Sequence, residues 1–271
     1  MSEYYPRPRK ALGQNFLTDG NIIAKILRSA AIEAEDFVLE VGPGRGALTD
    51  LLVQRAAQVV AVEFDRELSG ILRQRFSENP QVVIHEQDIL KVDFAQLLGD
   101  RRYKVVANLP YNISTPVLFR FLEERRRFSR LVLMLQKEVG ERLAAKADCA
   151  DYGIVTVLLG MWFDIRREFP VAPGSFYPIP KVDSVVISLT PRPEPLAAVN
   201  DHHLFERVVR AAFGQRRKTL SNCLKGAELA DYDRLAQALA DSGIDGKRRG
   251  ETLTIQEFAG LANSLASLLK H

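Results

Sequence analysis

The pattern of apolar and polar positions predicts short buried strands that alternate with amphipathic helices along the first part of the chain. Predominantly apolar runs, typical of strands that are covered on both faces, occur at residues 37–41, 59–62, 82–85, 105–107 and 131–135. Between these runs the apolar positions follow helical spacing, as at Ile22, Ile23, Ile26 and Leu27 and over residues 65–76. This alternation predicts an α/β protein with a doubly wound, Rossmann-like sheet.

The pattern beyond residue 135 predicts one more helix and two further strands of the sheet. Residues 136–145 predict a helix, and the apolar run at residues 152–159 fits either a helix or a strand. Residues 163–169 and 185–189 predict a strand pair that closes the sheet. The loop between these two strands is rich in proline and aromatic residues, so it suits a wall for a flat substrate, although a plain proline-rich connection explains it equally well.

Closely spaced prolines at residues 191–195 predict a stiff linker and a domain boundary. After the linker the apolar residues recur at helical spacing, and a capping box formed by Thr254 and Glu257 predicts the start of a last helix. We therefore expect one domain at residues 1–190 and a small, all-helical domain at residues 196–271.

The composition is that of a globular protein. The chain has 271 residues, of which 46% are hydrophobic and 26% are charged, and this argues against a disordered, collagen-like or coiled-coil protein. No apolar run approaches the roughly 18 residues that span a membrane, and no hydrophobic segment follows the basic start of the chain, so we expect a cytoplasmic protein. Cys149 and Cys223 lie far apart without a nearby histidine cluster, so no disulfide framework and no metal site is expected.

The positive charge is concentrated in short stretches. The formal net charge is only +3, but basic residues cluster at residues 101–130, 216–218 and 247–249. Focal patches of this kind suit a polyanion such as nucleic acid better than a membrane surface or an acidic metabolite. A solvated helix face explains each cluster equally well when it is taken alone.

Three predicted strands end in residues suited to an adenosine-bearing ligand. Gly42 and Gly44 follow the first strand in a Gly-x-Gly-x-Gly turn, which lets the backbone approach a ligand closely. Glu63 ends the second strand, 21 positions after Gly42, where a carboxylate accepts both hydroxyls of a ribose. Asp88 follows the third strand and is placed to accept from an adenine amino group. Because the glycine spacing differs from the dinucleotide fingerprint, a pyrophosphate ligand is not favoured.

The fourth predicted strand ends in Asn108, Leu109, Pro110 and Tyr111. The order of the strands places this loop beside the glycine turn, at the sheet edge where doubly wound folds bind their ligands. Asn108 offers a carbonyl acceptor, Pro110 stiffens the loop, and Tyr111 offers a ring face for stacking. This combination suits a flat ring with an amino group, and a nucleobase fits that description. An ordinary strand-to-helix turn is the alternative explanation for the loop alone.

With these residues assembled, the chain resembles the ribosomal RNA adenine N6-dimethyltransferases that modify small-subunit RNA. The resemblance covers nearly the whole chain and rests on five segments in the same order, at residues 12–17, 39–46, 108–114, 176–184 and 213–220. It implies an enzyme that uses S-adenosylmethionine to dimethylate two adjacent adenines in the 3′-terminal hairpin loop of small-subunit RNA. Its partner would be the immature small ribosomal subunit, and we expect it to act as a monomer without a metal.

The resemblance also implies roles for individual residues. The cofactor would be held by Asn15, Leu17, Gly42, Glu63, Asp88 and Asn108. The catalytic loop would be formed by Asn108, Leu109, Pro110 and Tyr111. The RNA substrate would be contacted by Tyr111 and Phe176 at the target base, and by the basic residues Arg216, Arg217, Lys218, Arg248 and Arg249 at phosphates.

Other functions remain open from the sequence. A large-subunit RNA adenine methyltransferase of the antibiotic-resistance type shares the Asn108 loop, but the segment that begins at Phe176 favours the small-subunit substrate. DNA adenine methylation is less favoured because no additional target-recognition domain is visible. A different class is an assembly factor that docks on the immature subunit through its basic clusters, with methylation secondary.

Overall fold

The computed structural model describes residues 6–9, 12–215 and 217–270. The strands are β1 (Phe16–Leu17), β2 (Phe37–Val41), β3 (Gln58–Glu63), β4 (Val82–Glu86), β5 (Tyr103–Asn108), β6 (Phe128–Gln136), β7 (Phe163–Val171), β8 (Phe176–Tyr177) and β9 (Ser184–Pro191). The helices are α1 (Gly20–Ala30), α2 (Thr49–Leu52), α3 (Arg66–Arg75), α4 (Phe94–Leu98), α5 (Ser114–Glu123), α6 (Lys137–Leu143), α7 (Ile154–Trp162), α8 (His202–Phe213), α9 (Leu220–Gly226), α10 (Tyr232–Asp241) and α11 (Ile255–Leu269).

The large sheet has the strand order β4-β3-β2-β5-β6-β9-β7. Strand β2 is parallel to both β3 and β5, so the chain runs from β2 to one edge and then returns to the other side of β2. This reversal opens a crevice at the carboxyl ends of β2 and β5. The predicted doubly wound fold is confirmed, and so is the predicted position of the Asn108 loop beside the glycine turn.

The central strands form the core because they are apolar on both faces. Val38, Val59 and Val106 are completely buried in a cluster that also contains the apolar stripe of α1. That stripe consists of the four residues predicted to face the core, Ile22, Ile23, Ile26 and Leu27. Asp19 caps the helix, since its carboxylate accepts from the backbone N–H groups of the first turn.

Two helices begin later than the apolar pattern alone suggests. The helix after the glycine turn begins only at Thr49, because positive φ angles at Gly44 and Gly46 keep the chain in turns before it. The apolar run at residues 152–159, which fitted either element, enters helix α7 at Ile154.

The loop before β9 holds a small element that the sequence did not predict. A 3₁₀ turn at Pro173–Ser175 leads into β8, which pairs antiparallel with β1. Phe16 lies opposite Tyr177, and Leu17 lies opposite Phe176. A two-residue strand has no periodicity of its own, so only its distant partner defines it. This pairing ties the start of the chain to the proline-rich loop.

The chain divides into two compact units. One comprises the residues up to Gly140 together with Ile165–Pro191 and contains the sheet; the other comprises Glu141–Asp164 and the residues from Arg192 onward, and it is helical. Inside the helical unit, Phe213 packs on both Tyr152 and Phe258. The domain bounds at residues 1–190 and 196–271 remain a prediction.

Within the ranges that the structure describes, no helix is both long and apolar enough to cross a membrane. The same ranges contain no group of three or more His, Cys, Asp or Glu side chains arranged to hold a metal ion.

Candidate active site

A cavity of about 290 Å³ lies at the carboxyl ends of the parallel strands, in the crevice between β2 and β5. It brings together most of the residues predicted to bind the cofactor or to act on the substrate: Asn15, Gly42, Glu63, Asp88, Asn108, Leu109, Pro110 and Tyr111. Further lining residues come from the segment before β1 and from the residues that follow β3 and β4, among them Gln14, Phe16, Phe64 and Gln87. The volume suits a nucleoside-sized ligand.

The carboxylate of Glu63 organises the turn after β2. One oxygen accepts from the backbone N–H of Gly44 at 3.0 Å, and the other accepts from the N–H of Asp65 at 2.8 Å. Burial raises the pKa of Glu63 above its ordinary value, while these two N–H groups oppose that rise. Glu63 therefore fixes the glycine turn and still presents its oxygens to the cavity, where hydroxyl groups of a ligand are suitable donors.

Gly44 permits a close approach between two segments. Its φ is +59°, and a Cβ atom built there would lie 3.0 Å from the ring of Phe16. No L side chain fits without moving that ring or the turn. The guanidinium of Arg45, the next residue, lies 4.6 Å from the centre of the Phe16 ring. The glycine turn and β1 are thus packed directly against each other.

Asp88 and Phe64 line the cavity where β4 and β3 end. One oxygen of Asp88 accepts from the backbone N–H of Leu90 at 3.0 Å, which holds the turn after β4. Phe64, directly after Glu63, lines the cavity although 60% of the side chain is exposed. An exposed aromatic ring beside two carboxylates suits a flat ligand ring. Phe64 was not among the predicted site residues, although a bulky aromatic residue directly after the acidic strand end was a usable signal.

The segment before β1 covers one wall of the cavity and is held by polar contacts. The side-chain nitrogen of Gln14 donates to Asp65 at 2.9 Å, and Arg9 lies 3.6 Å from the same carboxylate. The main-chain carbonyl of Asn15 accepts from the side chain of Asn108 at 3.0 Å. These contacts place Asn15 next to the end of β5, as expected for a residue that binds the cofactor.

The side chain of Asn108 has a defined orientation. Its nitrogen must be the group that faces Asn15, because a carbonyl only accepts hydrogen bonds. The side-chain oxygen therefore remains available to the cavity, and it receives no hydrogen bond from the described residues. Leu109 is buried, and its N–H donates to the Met134 carbonyl of β6 at 3.2 Å, which anchors the loop.

The next two residues of the loop are also fixed. The Pro110 carbonyl accepts from the N–H of Ile113 at 3.2 Å and from the hydroxyl of Ser114 at 3.1 Å. The Tyr111 hydroxyl shares a hydrogen bond of 2.8 Å with the hydroxyl of Ser184, at the start of β9. Burial raises the pKa of Tyr111, so its phenol stays neutral at ordinary pH. The hydrogen bond to Ser184 therefore holds the tyrosine ring through its hydroxyl group.

Two residues assigned to the site by resemblance lie outside the cavity lining. Leu17 and Phe176 face each other across the β1–β8 pair and belong to the hydrophobic core, where they are 6% and 3% exposed. Each is the chain neighbour of a residue at the Phe16–Tyr177 pair, and Phe16 lines the cavity. Cofactor contact by Leu17 and base contact by Phe176 remain predictions.

The predicted phosphate contacts lie in the helical unit. Arg217 and Lys218 are exposed, whereas Arg216 lies outside the described residues. Arg249 is 3.8 Å from Glu251, and both line a second cavity, of about 380 Å³, together with Arg217. Because Arg217 and Lys218 are exposed, both are accessible to a polyanion.

Arg248 differs from the other basic residues because it is engaged within the protein. Its guanidinium forms a two-point ion pair with Glu257 and donates to the Thr252 carbonyl at 2.6 Å. Glu257 in turn completes the capping box of α11 with Thr254. Mutual attraction raises the pKa of Arg248 and lowers that of Glu257. Arg248 therefore stabilises the start of α11, and its phosphate contact remains a prediction.

The cavity offers the chemistry that S-adenosylmethionine requires. The acceptors on Glu63 and Asp88 suit ribose hydroxyls and an adenine amino group, and Phe64 suits the adenine ring. At Gly42, with φ of +68°, no side chain stands between the turn and the end of β5. Asn108 and Tyr111 line the cavity at the end of β5, on the other side of β2 from β3 and β4. The residues present therefore fit this cofactor.

Comparison with known proteins agrees with this geometry. Residues 6–267 match the family model described as ribosomal RNA adenine dimethylase. The chain is 54% identical to Ribosomal RNA small subunit methyltransferase A of Geobacter metallireducens over 97% of both chains. It is 43% identical to the protein of the same name from Clostridium acetobutylicum, over 98% of this chain and 96% of that one.

Two solved structures share the fold over most of the chain. A dimethyladenosine transferase from Plasmodium falciparum is 25% identical, with a TM-score of 0.75, over 91% of this chain and 95% of that one. The 23S rRNA methyltransferase ErmE is 27% identical, with a TM-score of 0.71, over 93% of this chain and all of that one. Together with the family match, these similarities show that the chain belongs to the ribosomal RNA adenine dimethylase family.

Proposed function

We propose that this enzyme transfers methyl groups from S-adenosylmethionine to N6 of two adjacent adenines in the 3′-terminal hairpin loop of small-subunit ribosomal RNA. The product is N6,N6-dimethyladenosine, formed while the subunit is assembled. The observation that carries the proposal is the fixed orientation of Asn108, whose side-chain oxygen is the free end of the amide beside the cofactor cavity. The small-subunit substrate is supported by the names of the relatives at 43–54% identity.

Cofactor binding draws on three strand ends. Glu63 accepts the ribose hydroxyls, Asp88 accepts the adenine amino group, and Asn15 and Gly42 contribute main-chain groups near the end of β5. The bound cofactor supplies a methyl group on a positively charged sulfur, which is already activated for transfer. The protein therefore has to bind and orient the acceptor nitrogen rather than activate the donor.

The acceptor nitrogen needs help because its lone pair is delocalised into the adenine ring. Asn108 Oδ1 accepts one N6 hydrogen, and a main-chain carbonyl accepts the other. Pro110 already accepts two hydrogen bonds, whereas Leu109 accepts none from the described residues, so Leu109 is the main-chain acceptor. Both contacts make the nitrogen more tetrahedral and direct its lone pair towards the methyl group.

Tyr111 holds the unstacked target base. Its hydroxyl is bound to Ser184, so the ring cannot rotate away, and its face supports the adenine. One base–aromatic contact of this kind contributes about 1–3 kcal/mol. The neutral phenol is a poor base, so Tyr111 does not remove the N6 proton. The proton is released to water after the methyl group has been transferred.

Dimethylation requires the same nitrogen to react twice. After the first transfer the nitrogen has a single hydrogen, so it must rotate and form one hydrogen bond fewer. The methyl group already present then occupies the space next to one of the two acceptors. The cavity must accommodate this group without losing the contact with Asn108.

The basic residues near the end of the chain bind the rest of the RNA. Arg216, Arg217, Lys218 and Arg249 neutralise phosphates of the RNA, so the affinity for the subunit falls as salt rises. The enzyme acts as a monomer in the cytoplasm, where immature ribosomal subunits are present. Asn108 and Tyr111 then recognise the base, and these basic residues bind the phosphates.

The test is to incubate small and large subunits that lack these modifications with isotopically labelled S-adenosylmethionine and to map every methylated adenine. The proposal predicts two methyl groups on each of two adjacent adenines of the small-subunit hairpin and none on the large subunit. Methylation of large-subunit RNA alone would overturn it in favour of the activity named for ErmE. Normal subunit assembly with Glu63→Ala, which cannot hold the ribose, would show that assembly depends on docking rather than on catalysis.

A further inference from the structure

The loop between β8 and β9 exposes apolar side chains beside the active site. Tyr177, Ile179 and Val182 are 54%, 69% and 44% exposed, and they lie within six consecutive positions. The neighbouring Phe176 is buried in the core, so the loop turns some of its apolar residues inward and holds others in water. Exposed apolar residues grouped in this way mark interaction sites.

This loop runs along the rim of the cavity. At its start, Tyr177 lies directly across the β1–β8 pair from Phe16, which lines the cavity. At its end, Ser184 is hydrogen-bonded to Tyr111, which also lines the cavity. The N–H of Lys137 donates to the Asp183 carbonyl at 3.0 Å, which further fixes the end of the loop. The exposed residues are thus held between two walls of the active site.

A cationic group accompanies the exposed tyrosine. The guanidinium of Arg45 lies 5.5 Å from the centre of the Tyr177 ring and 4.6 Å from that of Phe16. Lys181 is exposed in the same loop. Aromatic and apolar faces next to positive charge suit single-stranded nucleic acid, since bases stack on rings and phosphates pair with cations. The exposed apolar strip is narrow and has a cation beside it, so it suits a protein partner less well. Its apolar surface is too small to bind a membrane.

We propose that Tyr177 and Ile179 form a stacking platform for a nucleotide that flanks the target adenine in the RNA loop. The platform rests on the proposed function, because it presupposes a target adenine held at Tyr111. When one adenine is unstacked into the cavity, its neighbour loses a stacking partner, and the Tyr177 ring supplies a new one. Arg45 then lies close to the phosphate that joins the two nucleotides. This platform favours RNA loops over duplexes, since only unpaired bases present a free face.

The test compares Tyr177→Leu, which keeps apolar bulk but loses the ring, with Tyr177→Phe, which keeps the ring. Methyl transfer to unmethylated small subunits is measured at several subunit concentrations. We expect the KM for subunits to rise about tenfold for Tyr177→Leu, as for the loss of one base–aromatic stack, and to stay unchanged for Tyr177→Phe. Ile179→Ala is also expected to raise the KM for subunits. Tyr232→Leu, which makes the same substitution at another exposed tyrosine, in α10, is the matched control and should leave the KM unchanged.

The affinity for S-adenosylmethionine and the thermal unfolding midpoint of each variant show whether the cavity and the fold are intact. Unchanged KM values for both Tyr177→Leu and Ile179→Ala would overturn the platform. An equal rise for Tyr177→Phe and Tyr177→Leu would also overturn it, because the ring would then not be the active feature. If wild-type enzyme methylates small subunits while these variants behave normally, this inference fails and the proposed function stands. If wild-type enzyme does not methylate them, the proposed function itself has failed.

Discussion

The side-chain nitrogen of Asn108 donates to the main-chain carbonyl of Asn15 across 3.0 Å, although the two residues are 93 positions apart in the chain. This bond fixes the amide orientation of Asn108 and also holds the segment that covers the cofactor cavity. A single contact therefore joins one wall of the cavity to the side chain that we propose receives the target base.

Asn108→Ala should lower kcat for methyl transfer by about 100-fold or more, the range seen when one oriented hydrogen-bonding group is lost from a catalytic site. Its effect on the affinity for S-adenosylmethionine should be smaller, below about tenfold, because a single hydrogen bond contributes about 1 kcal/mol. The measurements are kcat on unmethylated small subunits and cofactor binding by calorimetry. Asn21→Ala, at an exposed position in α1, is the matched control. Undiminished transfer by Asn108→Ala would exclude the role given to its oxygen.

The glycine turn allows a comparison between two glycine-to-alanine substitutions. At Gly44, φ is +59° and an added Cβ would meet the Phe16 ring at 3.0 Å, so Gly44→Ala should lower both stability and cofactor affinity. At Gly70, inside α3, nothing lies within 4 Å of an added Cβ, and Gly70→Ala should raise the free energy of unfolding by about 0.5–1 kcal/mol. Urea unfolding and cofactor titration measure both effects. Equal behaviour of the two variants would contradict the strain assigned to Gly44.

Much of the fold was predictable because its signals are local. Apart from Glu40, the runs at residues 37–41 and 59–62 are apolar on both faces, which only a covered parallel sheet accommodates. The strand order then placed Gly42, Glu63 and Asn108 at one edge of the sheet, and the structure confirms this placement. Gly42, Glu63, Asp88 and Asn108 were identifiable from their residue types because each lies at or just after a strand end.

The features that were missed depend on distant contacts. The pairing of β1 with β8 joins Phe16 to Tyr177, and neither two-residue strand has a pattern of its own. The same pairing buries Phe176, whose neighbours in the sequence gave no sign of which aromatic ring would face inward. The engagement of Arg248 with Glu257 was likewise hidden, because a cluster of positive charges does not show which members are already paired.

The basic residues of the helical unit should separate into two classes. Arg217→Ala with Lys218→Ala should weaken binding to small-subunit RNA and reduce the slope of log affinity against log salt by about 2, since two phosphate contacts are lost, without changing the melting temperature. Arg248→Ala should lower the melting temperature, because it leaves Glu257 without its ion pair at the start of α11. The control is Arg28→Ala with Arg55→Ala, which removes the same charge from exposed positions of the sheet unit. An unchanged salt slope for the first pair would contradict the phosphate contacts.

Glu40 should make stability depend on pH. It is 1% exposed in β2; one oxygen accepts from the Thr49 hydroxyl at 2.7 Å, and the other is buried without a hydrogen-bond partner among the described residues. Burial raises the pKa of Glu40 from 4.5 to about 8. Between these two values the folded protein keeps a proton that the unfolded chain has lost, so raising the pH favours unfolding. The stability that the protonated Glu40 contributes is fully present below a pH of 4.5. It is lost as the pH rises towards about 8.

Glu40→Gln should remove this dependence, because glutamine keeps an acceptor for Thr49 and carries no titrating group. The free energy of unfolding of the wild type, from urea titrations, should fall more between about pH 5 and about pH 8 than that of the variant, since only the wild type has to ionise a buried carboxyl over this range. Glu78→Gln, at an exposed position, should follow the wild type. The difference between the two glutamine variants isolates the contribution of Glu40 from that of Glu63, whose pKa is also raised by burial. Parallel curves for wild type and Glu40→Gln would show that the carboxyl in β2 is already ionised at neutral pH.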